Sequence, residues 1–310
     1  MQDELDFTKP HPELSPEDTA LAASFKPAAV SRFYDAAVAA QLFELSGRKE
    51  HFAVGETLFA ENEKSGKQGV FAKRVVHRMF LITGGEIALT VAGRPLDTIK
   101  TGEIIGEMAV ISETPAGSTR SATATAKTDC SALSLDAEEL QKALLRTPEF
   151  ALMLMSVMFD RLRFAAARLA MRKVVPEKSG PSTTAAFDGA ALASLEQRLD
   201  RATTMRYDAD KTIMNQGDIG THMYIVLDGR VGIFVNGKTV ESVAAGGAFG
   251  EMALVDQSPR SASAVAETEC ALLAINRAAL IALVKADPAV GLTMLRSVAA
   301  RLRHMTALLR

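Results

Sequence analysis

Two related stretches of this sequence indicate its architecture, and the second of them reads Met223-Tyr224-Ile225-Val226-Leu227-Asp228-Gly229-Arg230-Val231. Its counterpart lies 144 positions earlier and reads Met79-Phe80-Leu81-Ile82-Thr83-Gly84-Gly85-Glu86-Ile87. In both stretches an apolar run ends at a glycine turn and a second run begins, which is typical of two consecutive β-strands. Because a stretch that recurs at a fixed distance indicates a duplicated unit, the sequence predicts two copies of one β-rich domain.

The repeat continues into the part of each copy that carries polar residues. Gly106-Glu107-Met108-Ala109 corresponds to Gly250-Glu251-Met252-Ala253 at the same distance. Further on, the distance drops to 140 positions, and Arg120-Ser121-Ala122 corresponds to Arg260-Ser261-Ala262. The first copy therefore contains four additional residues just before its arginine. It also contains a longer, basic insertion within residues 64–76, which is interpreted either as a solvated loop or as a flap over the first pocket.

The remaining pattern predicts a barrel followed by helices in each copy. Asn236-Gly237 is a strong signal for a two-residue hairpin, and residues 121–126 and 261–266 alternate as half-buried strands do. Regularly spaced strands of this kind favour a jelly roll. The predicted fold class is mainly β with flanking α, as two tandem β-jelly-roll barrels, each followed by C-terminal helices. Pro148 and Pro288 each predict a break between a short helix and a longer one.

These patterns divide the chain into four parts. Residues 1–19 contain three prolines among acidic residues and are expected to be a flexible segment. Residues 20–173 form the first predicted domain. Residues 174–189 are rich in Pro, Gly, Ser and Thr and are expected to be a linker. Residues 190–310 form the second predicted domain.

Composition excludes several classes of function. The 310 residues carry a net charge of −2 and only 5% aromatic residues, so neither general attraction to nucleic acid nor a base-stacking platform is expected. The acidic start indicates no secretory signal, and no apolar run is long enough to span a membrane. The five histidines form no ligand-spaced cluster, so no metal is expected, and Cys130 and Cys270 are interpreted as buried packing residues. No catalytic motif is present; we expect a cytoplasmic protein that is not an enzyme and has no cofactor.

Residues 246–262 combine a glycine bend, Glu251, a short apolar turn and Arg260. The arginine offers a planar fork suited to two phosphate oxygens. The carboxylate accepts hydrogen bonds and suits a ribose hydroxyl. A phosphodiester fused to a ribose would meet both groups. The alternative is a plain barrel corner, with Glu251 solvated and Arg260 in a weak surface ion pair.

The pattern Gly-Glu-hydrophobic-Ala, then Pro-Arg-Ser-Ala, resembles the phosphate-binding cassette of the cyclic-nucleotide-binding domain. That family includes catabolite activator proteins and protein kinase A regulatory subunits, and the resemblance covers roughly residues 45–171 and 190–310. It implies that Glu251 binds the ribose 2′-hydroxyl and Arg260 the cyclic phosphate. It also implies that a residue of the last helix covers the base. The ligand-binding residues implied in this way are Gly250, Glu251, Met252, Ala253, Arg260, Ser261 and Arg303 in the second copy, and Gly106, Glu107, Met108, Ala109, Arg120, Ser121 and Arg163 in the first.

The first copy departs from the family pattern. Its glutamate and arginine are thirteen positions apart, whereas they are nine apart in the second copy, the usual spacing in the family. The longer loop either returns Arg120 to the phosphate or leaves the first pocket altered or empty. The sequence leaves both alternatives open.

The resemblance implies a regulatory protein that binds a cyclic nucleotide, cAMP in preference to cGMP, and signals occupancy to an unidentified protein partner. A homodimer through the helices is possible. We expect no direct DNA binding, because residues 174–189 are too few for a helix-turn-helix and the sequence ends at Arg310, close to the second domain's last helix. The alternative function is a nucleotide-free tandem-domain scaffold that assembles through residues 150–171 and 290–309.

Overall fold

The structure is a computed structural model that describes residues 36–66, 75–112, 118–171, 187–198 and 203–308. The chain folds into two compact units, and the described parts of these units meet in sequence between Phe150 and Ala151. The predicted flexible segment 1–19, most of the predicted linker 174–189 and the centre of the basic insertion lie outside the described residues.

The described residues of the first unit form eight strands and short helices. Its elements are α1 (Ala36–Ser46), β1 (Arg48–Phe52), β2 (Thr57–Phe59), β3 (Met79–Gly84), β4 (Ile87–Val91), β5 (Arg94–Ile99), β6 (Ile104–Ile105), α2 (Glu107–Ile111), β7 (Thr123–Ala126), β8 (Cys130–Leu135) and α3 (Ala137–Arg146). The strands form two antiparallel sheets in the orders β1-β8-β3-β6 and β2-β7-β4-β5. Apolar side chains of both sheets, including Phe59, Phe80 and Ile87, pack together as one core.

The second unit repeats this arrangement with longer helices. Its elements are α4 (Phe150–Met171), α5 (Gly189–Arg198), β9 (Thr203–Tyr207), β10 (Thr212–Met214), β11 (His222–Asp228), β12 (Arg230–Val235), β13 (Lys238–Ala244), β14 (Ala248–Phe249), α6 (Glu251–Asp256), β15 (Ser263–Ala266), β16 (Cys270–Asn276), α7 (Arg277–Ala286) and α8 (Pro288–Leu308). The sheets have the orders β14-β11-β16-β9 and β10-β15-β12-β13, which match those of the first unit strand for strand.

The architecture confirms the predicted fold class of two jelly-roll barrels with flanking helices. The predicted hairpin lies between β12 and β13, where Asn236 and Gly237 both have the positive φ that a tight turn of this kind requires. The predicted helix breaks lie between α3 and α4 and between α7 and α8. Pro288 begins α8, a position where its missing N–H costs no helical bond.

Helix α4 is placed differently from the sequence expectation. The sequence groups residues 150–171 with the first barrel, whereas in the structure α4 belongs to the second unit from Ala151 onward. The physical reason is its contacts with residues of that unit: Arg163 donates to Asp256, Lys238 donates to the oxygen of Ala170, and Ala151 packs on Gly291. Local sequence gives the helix but not the barrel on which it packs. The domain limits 20–173 and 190–310 themselves stay predictions.

Both cysteines are buried, which confirms their interpretation as packing residues. Cys130 and Cys270 lie at the first positions of the equivalent strands β8 and β16. Within the described ranges, no single helix has the length and hydropathy needed to cross a bilayer. Helices α7 and α8 pass that test only as a pair, bent by 114°.

Candidate functional site

The second cassette is a sharp corner between β14 and β15. Gly250 has φ 79° and directly precedes helix α6, and Gln257, with φ 56°, ends that helix in the same left-handed conformation. A side chain at position 250 would be strained by that φ, and its Cβ would also lie 2.7 Å from Nη1 of Arg260. Glycine is therefore required because the backbone turns here and the guanidinium packs directly against it.

Arg260 is buried under this corner and is held by backbone carbonyls. Nη1 donates to the oxygen of Gly250 at 2.7 Å, and Nη2 donates to the oxygen of His222 at 2.5 Å. These bonds use two of the five N–H groups of the guanidinium and fix its plane. Burial lowers the pKa of Arg260, while nearby Tyr224, Glu251 and Asp218 oppose that shift.

Glu251 is also buried, and it is paired with an arginine from the last helix. Nη1 of Arg301 donates to its Oε1 at 2.5 Å. The same guanidinium donates through Nε to Oε2 of Glu241 on β13 at 3.0 Å. Burial acts to lower the pKa of Arg301, but the two carboxylates outweigh burial and raise it. Arg301 thus connects the cassette, strand β13 and helix α8 through one buried charge.

These residues line one open pocket. Six of the predicted ligand-binding residues of the second copy lie together there: Gly250, Glu251, Met252, Ala253, Arg260 and Ser261. The hydroxyl of Ser261 donates to the sulfur of Met252 at 3.6 Å, across the cassette. Apolar side chains of Met214, Ile233 and Phe249 complete the lining. The pocket therefore combines a cation, a carboxylate and an apolar wall.

The residue that α8 contributes to this pocket is Arg301, whereas the sequence proposed Arg303. Arg303 is partly buried, and burial lowers its pKa, but it is not among the residues that line the pocket. Two positions rotate a side chain by about 200° around a helix, so only one of these arginines can face the cassette. The signal that identifies Arg301 is its place on the apolar stripe of α8 with Met294, Val298 and Met305.

The first cassette has the same local geometry. Gly106 has φ 76° before α2, and Nη1 and Nη2 of Arg120 donate to the oxygens of Gly106 at 3.0 Å and of Arg78 at 2.7 Å. Glu107 is buried at the start of α2. The hydroxyl of Ser121 donates to the sulfur of Met108 at 3.9 Å, as its counterpart does in the second cassette.

The thirteen-residue spacing thus still brings Arg120 to the position that Arg260 occupies. Part of the additional loop, residues 113–117, lies outside the described residues. The aromatic surroundings differ, since the guanidinium of Arg120 lies 4.1 Å from the ring centroid of Phe59, whereas Arg260 lies 6.0 Å from that of Tyr224. The structure therefore gives both copies a buried cassette arginine, with different rings against it.

The structure places Arg163 in the second unit, whereas the sequence expectation assigned it to the first cassette. It lies on α4, and its guanidinium donates to Asp256, the last residue of the second cassette's α6, and to Ser258 just beyond that helix. It also donates to Asp160, one turn earlier on α4, at 2.7 Å. The correction has the same cause as the placement of α4: the helix packs in the second unit. Asp256, Glu241 and Arg301 are residues that sequence reasoning missed.

Comparison with known proteins agrees with this geometry. The sequence model of the cyclic nucleotide-binding domain matches residues 49–147 and 204–287, which together are more than half of the chain. The chain therefore belongs to the cyclic nucleotide-binding domain family, with the domain present twice.

Two curated relatives show how far the likeness extends. The cyclic AMP receptor protein of Thermus thermophilus is 36% identical over 123 residues, which are 38% of this chain and 57% of that protein. The cAMP-dependent protein kinase regulatory subunit of Eremothecium gossypii is 38% identical over 86 residues, 28% of this chain and 17% of that protein. The match thus spans about half of the first relative and a sixth of the second.

Solved structures are also similar to this chain. The crystal structure of Thermus thermophilus catabolite activator protein is 35% identical, with 39% of this chain and 59% of that chain covered and a TM-score of 0.35. The regulatory domain of Toxoplasma gondii PKA, crystallised with cAMP, is 18% identical, with 88% of each chain covered and a TM-score of 0.27.

Proposed function

We propose that this protein is a regulatory receptor for a cyclic nucleotide, with cAMP as the preferred ligand. The observation that carries the proposal is that Glu251 and Arg260 line one pocket around the Gly250 corner. A ligand with a hydrogen-bond donor and an anion a few ångströms apart on a rigid ring would bind to Glu251 and Arg260 at once.

The chemistry of each group supports a nucleoside cyclic phosphate. Arg260 is buried and fixed by two carbonyls, so its charge is already oriented for phosphate oxygens before a ligand arrives. Glu251 accepts hydrogen bonds only, which suits a ribose hydroxyl. Arg301 donates a hydrogen bond to Oε1 of Glu251, which fixes the orientation of the carboxylate in the pocket. The apolar wall of Met214, Ile233 and Phe249 suits the uncharged base.

Preference for cAMP rests on the relatives of this chain, because Ser121 and Ser261, which follow the cassette arginines, leave the choice between cAMP and cGMP open. The curated relatives are described as a cyclic AMP receptor and a cAMP-dependent kinase subunit. We therefore infer cAMP as the ligand of the second site.

The output is proposed to pass through helix α8. Arg301 lies on α8 and contacts Glu251 inside the pocket, so a ligand that engages Glu251 alters the balance of charge at α8. A protein with two arrangements of this helix offers a partner two surfaces to distinguish. The partner is a protein, not DNA, and the proposal includes a cytoplasmic location and no catalytic activity.

The second candidate is a scaffold that binds no nucleotide and assembles through its apolar helices. The burial of those helices favours the receptor. In α4, Leu152, Met155 and Phe159 are buried within this chain, and so are Met294 and Leu302 of α8. Apolar faces that are already covered leave little surface for assembly.

Titration calorimetry and thermal unfolding with cAMP, cGMP and adenosine test the proposal on the full chain. We expect saturable cAMP binding and a rise in Tm with cAMP concentration, a smaller rise with cGMP and little change with adenosine, which lacks the phosphate. A larger effect of cGMP overturns the ligand preference. Absence of heat and of any Tm change with either cyclic nucleotide overturns the receptor and supports the scaffold. Mass spectrometry of small molecules that co-purify with the protein gives an independent identification.

A further inference from the structure

Helix α4 follows the first repeat in sequence, but its residue Arg163 contacts Asp256 and Ser258 beside the second cassette. We propose that Arg163 of α4 is a positioning residue for the phosphate-binding arginine Arg260, acting through Asp256 and Ser258. This inference rests on the proposed function, because it concerns how the same pocket is shaped for its ligand.

The hydrogen bonds form a short chain that ends next to Arg260. Nη2 of Arg163 donates both to Oδ2 of Asp256 and to Oγ of Ser258, the latter at 3.0 Å. Oδ1 of Asp256 accepts from the backbone N–H of Ser258 at 3.2 Å and from its hydroxyl at 2.7 Å. The Ser258 hydroxyl thus accepts from Arg163 and donates to Asp256. Only Pro259 separates this closed network from Arg260.

Because this network is buried, it constrains the geometry of the segment between the end of α6 and Arg260. The side chains of Arg163 and Asp256 are 4% and 1% exposed. A buried ion pair adds little net stability compared with an apolar pair, yet loss of one partner leaves an uncompensated charge that must move or draw in water. Such a pair fixes position more than it adds stability. The position it fixes is the segment between the end of α6 and Arg260.

Two further contacts hold α4 on the same barrel, so Arg163 lies on a helix that is itself fixed. Near the end of α4, the backbone oxygen of Ala170 accepts a hydrogen bond from Nζ of Lys238 at 2.7 Å. Near its start, Ala151 packs so closely on Gly291 of α8 that a Cβ at position 291 would lie 2.9 Å from that of Ala151. If α4 moves, Arg163 moves with it, and the hydrogen bonds of Arg163 transmit that movement to the cassette.

The two carboxylates that share Arg163 provide a matched pair of variants. Asp256→Asn removes the partner on the cassette. Asp160→Asn removes the partner on α4 itself, whose side chain is 53% exposed. Both substitutions delete one negative charge next to the same guanidinium, but only the first acts on the segment that leads to Arg260. Arg163→Lys is the second route to the same break, because the guanidinium donates to Asp160 through Nη1 and to Asp256 and Ser258 through Nη2, and an ammonium with a single nitrogen does not reproduce that fork.

The experiment compares full-length wild type with these three variants by hydrogen exchange without ligand and by calorimetry with cAMP and adenosine. We expect Asp256→Asn and Arg163→Lys to speed exchange at the amides of Ser258 and Arg260 in the ligand-free protein. We expect the affinity for cAMP to fall about tenfold in both, and that for adenosine to stay unchanged, since the displaced group is the phosphate contact. Asp160→Asn should change cAMP affinity by less than about twofold.

The outcomes separate this inference from the proposed function. Exchange at Ser258 and Arg260 that is unchanged in both Asp256→Asn and Arg163→Lys overturns the positioning role, whatever the ligand. Equal losses for cAMP and adenosine overturn it as well, because they indicate general damage. A wild-type protein that binds no cyclic nucleotide overturns the proposed function, while the exchange data still decide whether Arg163 positions the segment.

Discussion

The two cassettes have nearly the same interior and different surroundings. In each, a left-handed glycine precedes a short helix, and a buried arginine donates to two backbone carbonyls. In the second cassette, Arg301 contacts the glutamate and Arg163 contacts the turn that follows α6, and both arginines come from long helices. The comparison teaches that local sequence places the cassette arginine, whereas packing of distant helices determines what else contacts the cassette.

The largest expected difference between the two cassettes follows from removing Arg301, the cation that links the second cassette to α8. Arg301→Leu leaves Glu241 and Glu251 buried without their shared partner, and we expect it to lower the free energy of unfolding by about 3–5 kcal/mol. The control is Arg161→Leu, because Arg161 is the counterpart of Arg301 in the repeat and is only half-buried. It should cost less than about 1 kcal/mol. Chemical denaturation measures both; equal losses would contradict the special role of Arg301.

The next largest effect concerns ligand binding by the two cassette arginines. Arg260→Ala removes charge-assisted bonds to the phosphate and should weaken cAMP binding at the second site by roughly tens- to hundreds-fold. Arg120→Ala removes the corresponding group from the other unit and should leave that affinity unchanged. Titration calorimetry on both variants measures the affinity and the number of sites. If Arg260→Ala binds cAMP as wild type does, the assignment of the phosphate site is wrong.

A smaller effect on cAMP affinity is expected when the two cassette glutamates are substituted. Glu251→Gln should weaken cAMP binding by about tenfold, because a neutral amide accepts a weaker hydrogen bond from the ribose than a carboxylate does. The same substitution should have little effect on binding of 2′-deoxy-cAMP, which lacks the hydroxyl. Glu107→Gln serves as the matched variant and should not change the second site. Equal losses for both nucleotides would place Glu251 away from the 2′-hydroxyl.

Sequence alone predicted the duplicated barrel and the membership of six side chains in one pocket, because these depend on residues close in the chain. The alternation of strands, the Asn236-Gly237 turn and the glycine corner at Gly250 are local signals. Contacts between distant segments were less accessible. The choice between Arg301 and Arg303 depends on helix register, and the position of Arg163 depends on which barrel α4 packs against.

The buried cysteines at the start of β8 and β16 allow the opening of the two barrels to be measured chemically. Burial raises the pKa of Cys270, so little thiolate is present at neutral pH and alkylating reagents react slowly with the folded chain. Each compact unit contains one buried cysteine, Cys130 in the first and Cys270 in the second. Labelling kinetics followed by peptide mapping therefore report the opening of each barrel separately, without any introduced probe.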